Sequence, residues 1–330
     1  MPFSMPTNWT DSAIDAAVMG GAVELAGAAV LPNPIGHAAF FAPAVGTMTP
    51  VQCATHIDRA RRRGLSFNYI VDAPCLGNRE YDVVIRDQMR DHLLWASDQG
   101  VTTVTVGNGF LIEFVKKHLG HLRVVVSASA FVDSVERARQ LASLGADEIT
   151  VHPDANRDFS FLAALRKGVD ARHRLIVNHG CAFQCMYLHY HALYLGHASR
   201  EGRPFDEGRP RCEADFHGAA LYKSRWIRPE DLHKYIEFGF DFFVIHGQNR
   251  DAGWLRAAAT AYGAGAHAGN LMTFMDGGIR RQFTPDLDVP GGLLTHFLAR
   301  FDTAWCKNHC DACDHCETTA QQALSHRRSR

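Results

Sequence analysis

The sequence predicts an α/β fold, a TIM-like (β/α) barrel with a cysteine-rich C-terminal extension. From about residue 64 onward, short runs rich in Val and Ile alternate with amphipathic helical segments. Near-continuous apolar strands separated by helices are typical of a parallel sheet that is covered on both faces. No GxGxxG motif follows an early strand, which disfavours a doubly wound dinucleotide-binding sheet. The repeated strand–helix units therefore favour a closed barrel.

The units can be assigned in chain order, and one more strand is predicted before them, near VELAGAAV (23–30). The later strands are predicted at 65–73, 101–108, 123–130, 147–153, 174–180 and 240–247. Helix C-caps are predicted at the glycines that precede strands, which are Gly64, Gly100, Gly145 and Gly239. We assign residues 1–290 to a catalytic barrel domain and residues 291–330 to a cysteine-rich, metal-binding tail.

The composition narrows the classes of function. Lys and Arg total 34 while Asp and Glu total 35, so no bulk charge attracts nucleic acid or an anionic membrane. No apolar run reaches the roughly 18 residues of a membrane span. Acidic residues precede the apolar segment 16–32, so no signal peptide is expected. We therefore expect a cytoplasmic protein, whose nine cysteines are not paired as disulfides.

The barrel prediction places residues that are distant in sequence on one rim. Active sites of such barrels are built from the loops that follow the strands. Cys75, His152, Cys181 and His246 each end or closely follow a predicted strand. We expect these side chains to converge at the carboxyl ends of the strands.

The segment NHGCAFQCMYLHYHALYLGH (178–197) combines two cysteines with four histidines. It is compatible with a metal site, a nucleophilic Cys–His site or a histidine-rich helix. If a helix follows Gly180, Cys181 and Cys185 lie one turn apart, with both sulfurs on one face. Cys212 lies beyond a polar loop, and together with Cys75 it completes four thiolates, the usual number for a [4Fe–4S] cluster.

Three histidines follow these cysteines within nine residues. His189 and His197 are predicted close to one helical face, and His191 is predicted to point elsewhere. They are candidate proton donors, substrate contacts or hydrogen-bond partners of the cluster ligands. A thiol nucleophile activated by histidine is a second interpretation, although no orienting third group is evident.

The C-terminal WCKNHCDACDHC contains four cysteines in C-x3-C-x2-C-x2-C spacing. Four thiols in so short a segment predict a metal centre, and the spacing suits either a second [4Fe–4S] cluster or zinc. The predicted ligands are Cys306, Cys310, Cys313 and Cys316.

Two further polar positions are candidate site residues. Arg228 precedes a predicted helix in SRWIRPEDLHKYIEFG (224–239), where it could contact an anion. Glu80 belongs to the polar cluster in CLGNRE (75–80), directly after a predicted strand.

Several segments resemble the collagenase-like peptidase family U-32. VNHGCAFQCMYLHYH with a downstream HAS is similar to the family's NEGC-x3-C segment, and the resemblance extends from roughly Leu31 to Cys316. The supporting segments are FNYIVDAPCLGNREYD, VVVSASAFVDSVERARQLASLGADEITVHPDANRD and WIRPEDLHKYIEFGFDFFVIHGQNR.

The resemblance implies a TIM-like barrel, and an iron–sulfur protein despite the peptidase name. Members include oxygen-independent ubiquinone hydroxylase subunits and proteins that hydroxylate tRNA or rRNA bases, with prephenate implicated as hydroxyl source. Cys181, Cys185 and Cys212 match the family's central cysteines, and Cys75 is the implied fourth ligand. This chain carries His179 where relatives have glutamate and Met186 where they have proline. If that glutamate acts as an acid or base, the chemistry here differs.

The leading hypothesis is an iron–sulfur enzyme that hydroxylates, or otherwise oxidises or reduces, a small molecule or an RNA base. His179, His189, His191, His197, Arg228 and Glu80 are its candidate catalytic residues. The alternatives are a metal- or thiol-dependent peptidase and a non-catalytic, cluster-carrying partner subunit. The expected partners are a small-molecule substrate, with RNA as the second choice, and further copies of the chain or a related subunit. No membrane partner is expected.

Overall fold

The structure is a computed structural model of the 330-residue chain. It describes residues 2–38, 48–203, 218–276, 289, 294–302, 306 and 310–328, with side chains described to residue 323. Among these residues no helix is long and apolar enough to cross a bilayer.

Eight parallel strands form a closed barrel in which sequential strands are neighbours and β8 pairs with β1. The predicted TIM-like barrel is therefore confirmed. The strands are β1 (Phe3–Pro6), β2 (Glu24–Ala28), β3 (Ser66–Val71), β4 (Thr103–Val106), β5 (Arg123–Val126), β6 (Glu148–Thr150), β7 (Arg172–Ile176) and β8 (Phe242–Val244).

Strand β1 was not predicted from the sequence. Its four residues, FSMP, include neither Val nor Ile and end in a proline, which cannot donate to a neighbouring strand. Six of the other strands lie within their predicted segments, and β7 begins two residues before the predicted 174–180; all seven are shorter than predicted.

Helices surround the barrel. They are α1 (Asp11–Gly20), α2 (Pro50–Arg62), α3 (Val83–Asp98), α4 (Gly109–His118), α5 (Val135–Ser143), α6 (Phe159–Gly168), α7 (Leu188–Glu201), α8 (Ala219–Lys223), α9 (Leu232–Glu237), α10 (Ala252–Ala264), α11 (Ala299–Asp302) and α12 (His315–Arg328). The four predicted cap glycines all have positive φ, between 82° and 106°. Only glycine adopts this conformation without a steric penalty, which is why these positions end helices.

Each strand directs alternate side chains into and out of the barrel. Outward-facing Leu25, Phe67 and Val104 pack beneath the helices in the main hydrophobic core. The inward-facing positions are unusually polar for such a barrel, whose interior is normally filled by branched apolar residues. Asn68 and Thr105 occupy two of these positions.

The described part of residues 291–330 packs against the barrel. Phe297 stacks on Trp226 with the ring centroids 5.8 Å apart, and His315 stacks on Phe297 at 4.9 Å. Helix α12 also contacts α8. The described part of this tail therefore lies against the segment that follows β7.

Candidate active site

A cavity of about 160 Å³ opens at the carboxyl ends of the barrel strands. Its floor is the polar barrel interior, and its walls combine apolar side chains with a small set of titratable groups. The titratable side chains that line it include Asp72, His152, His179, Cys181, His191 and His246. His152, Cys181 and His246 were predicted to meet at this rim.

The cavity floor is closed by a buried ionic network. Arg174 on β7 donates two hydrogen bonds to Glu24, at 2.6 and 2.9 Å, and a third to Glu148 at 2.6 Å. Burial alone would raise the pKa of Glu24, but the charge and hydrogen bonds of Arg174 overcome burial and lower that pKa. Arg123 also pairs with Glu148. The charged groups of the floor therefore neutralise one another.

Asp72, just after β3, is a cavity carboxyl that the sequence analysis missed. It accepts hydrogen bonds from Ser127 Oγ at 2.5 Å and from the backbone N–H of Ala38 at 2.7 Å. Burial raises its pKa even though the Ser127 hydrogen bond opposes this. Gly107 lies against it, because a Cβ there would be 2.2 Å from the Asp72 carbonyl oxygen. The only sequence signal was its position at the end of an apolar strand.

Three imidazoles that follow successive strands line the cavity. Burial lowers the pKa of His152 to about 4 and that of His179 to about 3, and it also lowers the pKa of His246. The charged forms of His152 and His246 would lower the pKa of His179 further. All three rings are therefore neutral at pH 7 and offer one donor and one acceptor nitrogen each.

His179 is fixed by main-chain contacts that extend β7. It forms a parallel bridge with Asp276, and the Gly180 N–H donates to the Asp276 carbonyl at 2.6 Å. Asn178 supports this arrangement by donating from its side chain to the carbonyls of His246 and Phe274. The Nε2 atom of His179 is shielded from solvent and has no hydrogen-bond partner in the described part of the chain. This atom therefore has an unused hydrogen-bonding capacity in the described structure, while the residue itself lines the cavity.

The helix predicted after Gly180 is wrong, because α7 begins only at Leu188. Cys181 and Cys185 lie in an irregular loop in which Gln184 has a φ of 52°. The loop is held at its start by Ser224, whose Oγ donates to the Cys181 carbonyl at 2.8 Å. The predicted placement of both sulfurs on one helical face is wrong for the same reason.

Helix α7 places its three histidines in different surroundings, and His191 points away from the other two, as predicted. His191 is buried and lines the cavity, and burial lowers its pKa. His189 instead stacks on Phe131 with the ring centroids 3.6 Å apart, and His197 Nδ1 lies 2.5 Å from an Arg200 nitrogen. Neither His189 nor His197 lines the cavity.

Arg228 and Glu80 also lie outside the cavity lining. Arg228 is buried and binds both oxygens of Asp231, at 2.5 and 2.7 Å, in the first turn after Pro229. This pairing neutralises the charge that was predicted to contact an anion. Glu80 lies in a short 3₁₀ turn, Arg79–Tyr81, where one carboxylate oxygen is shielded without a described hydrogen-bond partner.

None of the described cysteines is joined in a disulfide with another described cysteine. Cys181 lines the cavity. Cys75 lies near the C-terminal half of α7, where Arg200 donates to the adjacent Leu76 carbonyl at 3.2 Å. Cys185 lies at the other end of that helix, just before its first turn. The interval from Leu188 to Arg200 spans roughly 18 Å at about 1.5 Å per residue, and this length of helix separates the two ends.

The described contacts do not test the predicted set of four cysteine ligands. The contacts given above do not bring Cys75 to Cys181 and Cys185, and Cys212 lies outside the described residues. Within the described ranges, no three His, Cys, Asp or Glu side chains are already grouped as ligands of a metal ion. The ligand assignments stay predictions.

The tail cysteines lie near one another and near the loop that carries Cys181. Cys306 and Cys310 both raise the pKa of Cys316 by charge, in addition to the larger effect of burial. Arg225 connects the two regions, since its guanidinium lies 3.9 Å from the Phe183 ring and 4.0 Å from Cys306 Sγ. The chemistry of these thiols fits a metal centre.

Two known proteins are similar to this chain, one in sequence and one in both sequence and fold. No protein-family profile matches it. It is 25% identical over 281 residues to an uncharacterized protease, MJ1657, of Methanocaldococcus jannaschii, covering 82% of this chain and 81% of that protein. The structure of the U32 peptidase Mk0906 superposes with a TM-score of 0.58 and 25% identity, over 76% of this chain and 93% of that one.

Proposed function

Since the chain belongs to the U32 peptidase family, we propose that it is an enzyme that binds a small molecule, or a single RNA base, in its barrel cavity beside an iron–sulfur centre. The proposed reaction is oxygen-independent hydroxylation or related redox chemistry. The observation that carries the proposal is the position of Cys181, which lines the same cavity as Asp72 and His179.

The proposed ligands of this centre are Cys181, Cys185, Cys75 and Cys212. A second [4Fe–4S] cluster, or zinc, is proposed on Cys306, Cys310, Cys313 and Cys316. When bound beside the cavity, the first centre supplies electron transfer and a site for an oxygen donor. Cys181 and Cys185 fit this role because both are half-buried cysteines in a loop without regular structure. Cys75 fits only if it moves toward them from the far end of α7.

The chain's own residues are suited to hold and orient a substrate. Burial favours the protonated form of Asp72, so this carboxyl can donate a hydrogen bond as well as accept one. His179, which lines the same cavity, supplies a second polar side chain. Apolar side chains such as Ile70, Ile176 and Leu195 line the remaining walls and exclude water from the bound molecule.

The size of the cavity favours a small ligand over an extended peptide. Its volume of about 160 Å³ is close to that of a cavity of about 150 Å³ that admits benzene. A ligand of about one ring therefore fits inside, whereas a peptide would place only one side chain there.

Anaerobic purification with iron and acid-labile sulfide counts tests the proposal. Two clusters correspond to about eight irons per chain, and one cluster with a zinc-binding tail corresponds to about four irons and one zinc. Cys181→Ala with Cys185→Ala should lose about four irons. The buried, isolated Cys53 gives the matched control, because Cys53→Ala should keep the full count. An anaerobic preparation without iron contradicts the proposal.

A thiol peptidase is the second candidate, favoured by one observation. Cys181 and His191 line the same cavity, so a thiol and a neutral imidazole share one site. Hydrolysis of a peptide by iron-free protein, lost in Cys181→Ala and retained in Cys53→Ala, would support this function over the first.

A further inference from the structure

Among the described residues that line the cavity, Arg174 carries the only permanent positive charge. Each of the three nitrogens of its guanidinium already donates to a carboxylate, Nε to Glu148 and both Nη atoms to Glu24. Arg123 also pairs with Glu148, so two arginines are combined with two glutamates and the four charges sum to zero. The cavity floor therefore offers no net positive charge to a ligand.

The neutral polar groups of the floor are directed toward the same carboxylates. Thr105 Oγ1 donates to Asn68 Oδ1 at 2.8 Å, and Asn68 Nδ2 donates to Glu24 at 3.1 Å. Burial alone would raise the pKa of Glu24, but the charge and hydrogen bonds of Arg174, together with the hydrogen bond from Asn68, lower it. These donors thus stabilise a carboxylate that belongs to the protein itself.

The described walls of the cavity add acidic and neutral groups. Asp72 and Asp276 both line the cavity, and Asp276 is paired with Arg250 at 3.0 Å. His152 and His246 are neutral at pH 7 because burial lowers the pKa of both rings. Asp72 supplies no positive charge in either protonation state. An anion placed here would therefore meet carboxyl groups, and no unbalanced cation of the described lining would compensate it.

Apolar side chains, among them Ile70, Ile176 and Leu195, complete the walls. Moving a charged group from water into such a site costs far more free energy than moving a neutral polar group that finds a hydrogen-bond partner. The Asp72 carboxyl can be that partner for a neutral amide, carbonyl or hydroxyl group. A carboxylate on the ligand would lose its hydration without an equivalent replacement.

We propose that the cavity selects an uncharged ligand of about one ring, with a hydrogen-bonding amide, carbonyl or hydroxyl group, and rejects the carboxylate analogue of the same ligand. This inference rests on the proposed use of the cavity as the substrate site, and it specifies the class of substrate. The selectivity arises from the balanced charges of the floor, because Arg174 would otherwise attract an anion into the cavity.

Benzamide and benzoate are matched probes for this selectivity. They have the same ring and nearly the same shape, but benzoate is negatively charged at pH 7. Their dissociation constants are measured by ligand-observed NMR titration of the full-length chain after anaerobic purification, and the iron content of the same preparation is determined. Benzamide should bind at least about tenfold more tightly than benzoate.

Glu24→Gln tests the origin of the selectivity. This variant leaves two arginines combined with one glutamate, so the floor gains a net positive charge. The ratio of the two dissociation constants should shift toward benzoate by at least about tenfold. Asp241→Asn is the matched control, because it also removes one carboxylate, but an exposed one that pairs with Arg172 at the start of β7. Its ratio should stay within about twofold of the wild type.

The outcomes separate this inference from the proposed iron–sulfur chemistry. Benzoate binding as tightly as benzamide in the wild type, or no measurable binding of benzamide, overturns the inference whatever the iron content. A folded Glu24→Gln protein that keeps the wild-type ratio overturns the role of the floor charges. If Glu24→Gln fails to fold, the wild-type ratio decides the question. Iron-free protein that still prefers benzamide supports the inference and contradicts the iron–sulfur proposal alone.

Discussion

Replacement of Arg174 by methionine should destabilise the barrel strongly. The side chain of Arg174 is 3% exposed and is the shared partner of Glu24 and Glu148, whose side chains are 4% and 2% exposed. Methionine fills much of the same volume but supplies no charge. The substitution therefore leaves two carboxylates in the barrel interior with less compensation.

The structure allows the size of this effect to be worked out. Glu24 loses both guanidinium contacts and keeps a hydrogen bond from Asn68 at 3.1 Å, while Glu148 keeps Arg123. Breaking a buried ion pair by removing one partner costs about 3–5 kcal/mol. With an unfolding entropy of about 2.1 cal/mol/K per residue, the melting temperature of this chain should fall by about 4–7 °C.

The penalty should depend on pH in a defined direction. In the wild type, Arg174 overcomes burial and lowers the pKa of Glu24 below 4.5, so its stabilisation is present above pH 4.5 and lost in stronger acid. In the variant, burial alone raises that pKa, and the buried carboxylate becomes more costly as the pH rises. The difference between the two proteins should therefore be full at pH 7 and shrink toward pH 4.5.

Differential scanning calorimetry at several pH values measures this prediction. Arg172 gives a matched control because it lies two residues away on the same strand and pairs with the exposed Asp241. Surface pairs contribute about 0–1 kcal/mol, so Arg172→Met should have a small effect. An Arg174→Met protein no less stable than Arg172→Met, or a penalty independent of pH, would refute the reasoning.

Three further changes should have measurable effects. His173 is 2% exposed, its ring nitrogens have no described hydrogen-bond partner, and burial lowers its pKa to about 4. The buried, neutral form of His173 stabilises the fold fully above pH 6.5, and this stabilisation is lost as the pH falls toward 4. The wild type therefore loses unfolding free energy between pH 7 and pH 4.5. His173→Phe should make this loss smaller by about 2–3 kcal/mol. Asp72→Asn should raise the melting temperature more at pH 8 than at pH 4, because the raised pKa of Asp72 makes its ionised form unfavourable; an equal change at both pH values would argue against a neutral Asp72. Gly107→Ala should lower the melting temperature and weaken ligand binding, whereas Gly109→Ala, whose Cβ would meet only the Leu144 side chain, should be milder; equal effects would contradict the close approach to Asp72.

The strands of the barrel were predictable because parallel strands buried on both faces leave a direct sequence signal. β4 and β5, TVTV and RVVV, are rich in valine and lie between helices. β1 has no such signal, and its place is fixed by pairing with β2 and with β8, which lies near the other end of the barrel sequence. Tertiary contacts therefore make this segment a strand, although its local composition does not predict one.

The site was predictable at the strand ends and not in the loops between them. His152, Cys181 and His246 follow parallel strands, so the fold alone brings them to one rim. The segment after Gly180 has the spacing of a helix, but the bridge between His179 and Asp276 continues the extended backbone past β7. That partner lies almost a hundred residues away, which is why local periodicity placed the start of α7 too early.

The late start of α7 also determines which histidine can act in the cavity. His191 lies in the first turn of α7, directly above the cavity, whereas His197 lies two turns later beside Arg200. His189 does not line the cavity and instead stacks on the ring of Phe131, a residue in a left-handed backbone conformation with a φ of 54°. The spacing along a helix predicts which residues share a face. Whether that face is directed toward the cavity depends on where the helix begins and on the residues that pack against it.

His179 replaces the glutamate that the resemblance leads one to expect. Because the position is buried, the two side chains differ less in charge than their chemical types suggest. The pKa of His179 is lowered to about 3, so the ring is neutral at pH 7. A glutamate in the same place would have its pKa raised by the same burial, and it would also tend to be neutral. Both side chains therefore present an uncharged donor and acceptor to the cavity. They differ in reach and in geometry, since the imidazole directs a shielded Nε2 where a carboxyl would place two oxygens. The substitution thus alters the direction of hydrogen bonding to a bound molecule more than the electrostatic field that the molecule meets.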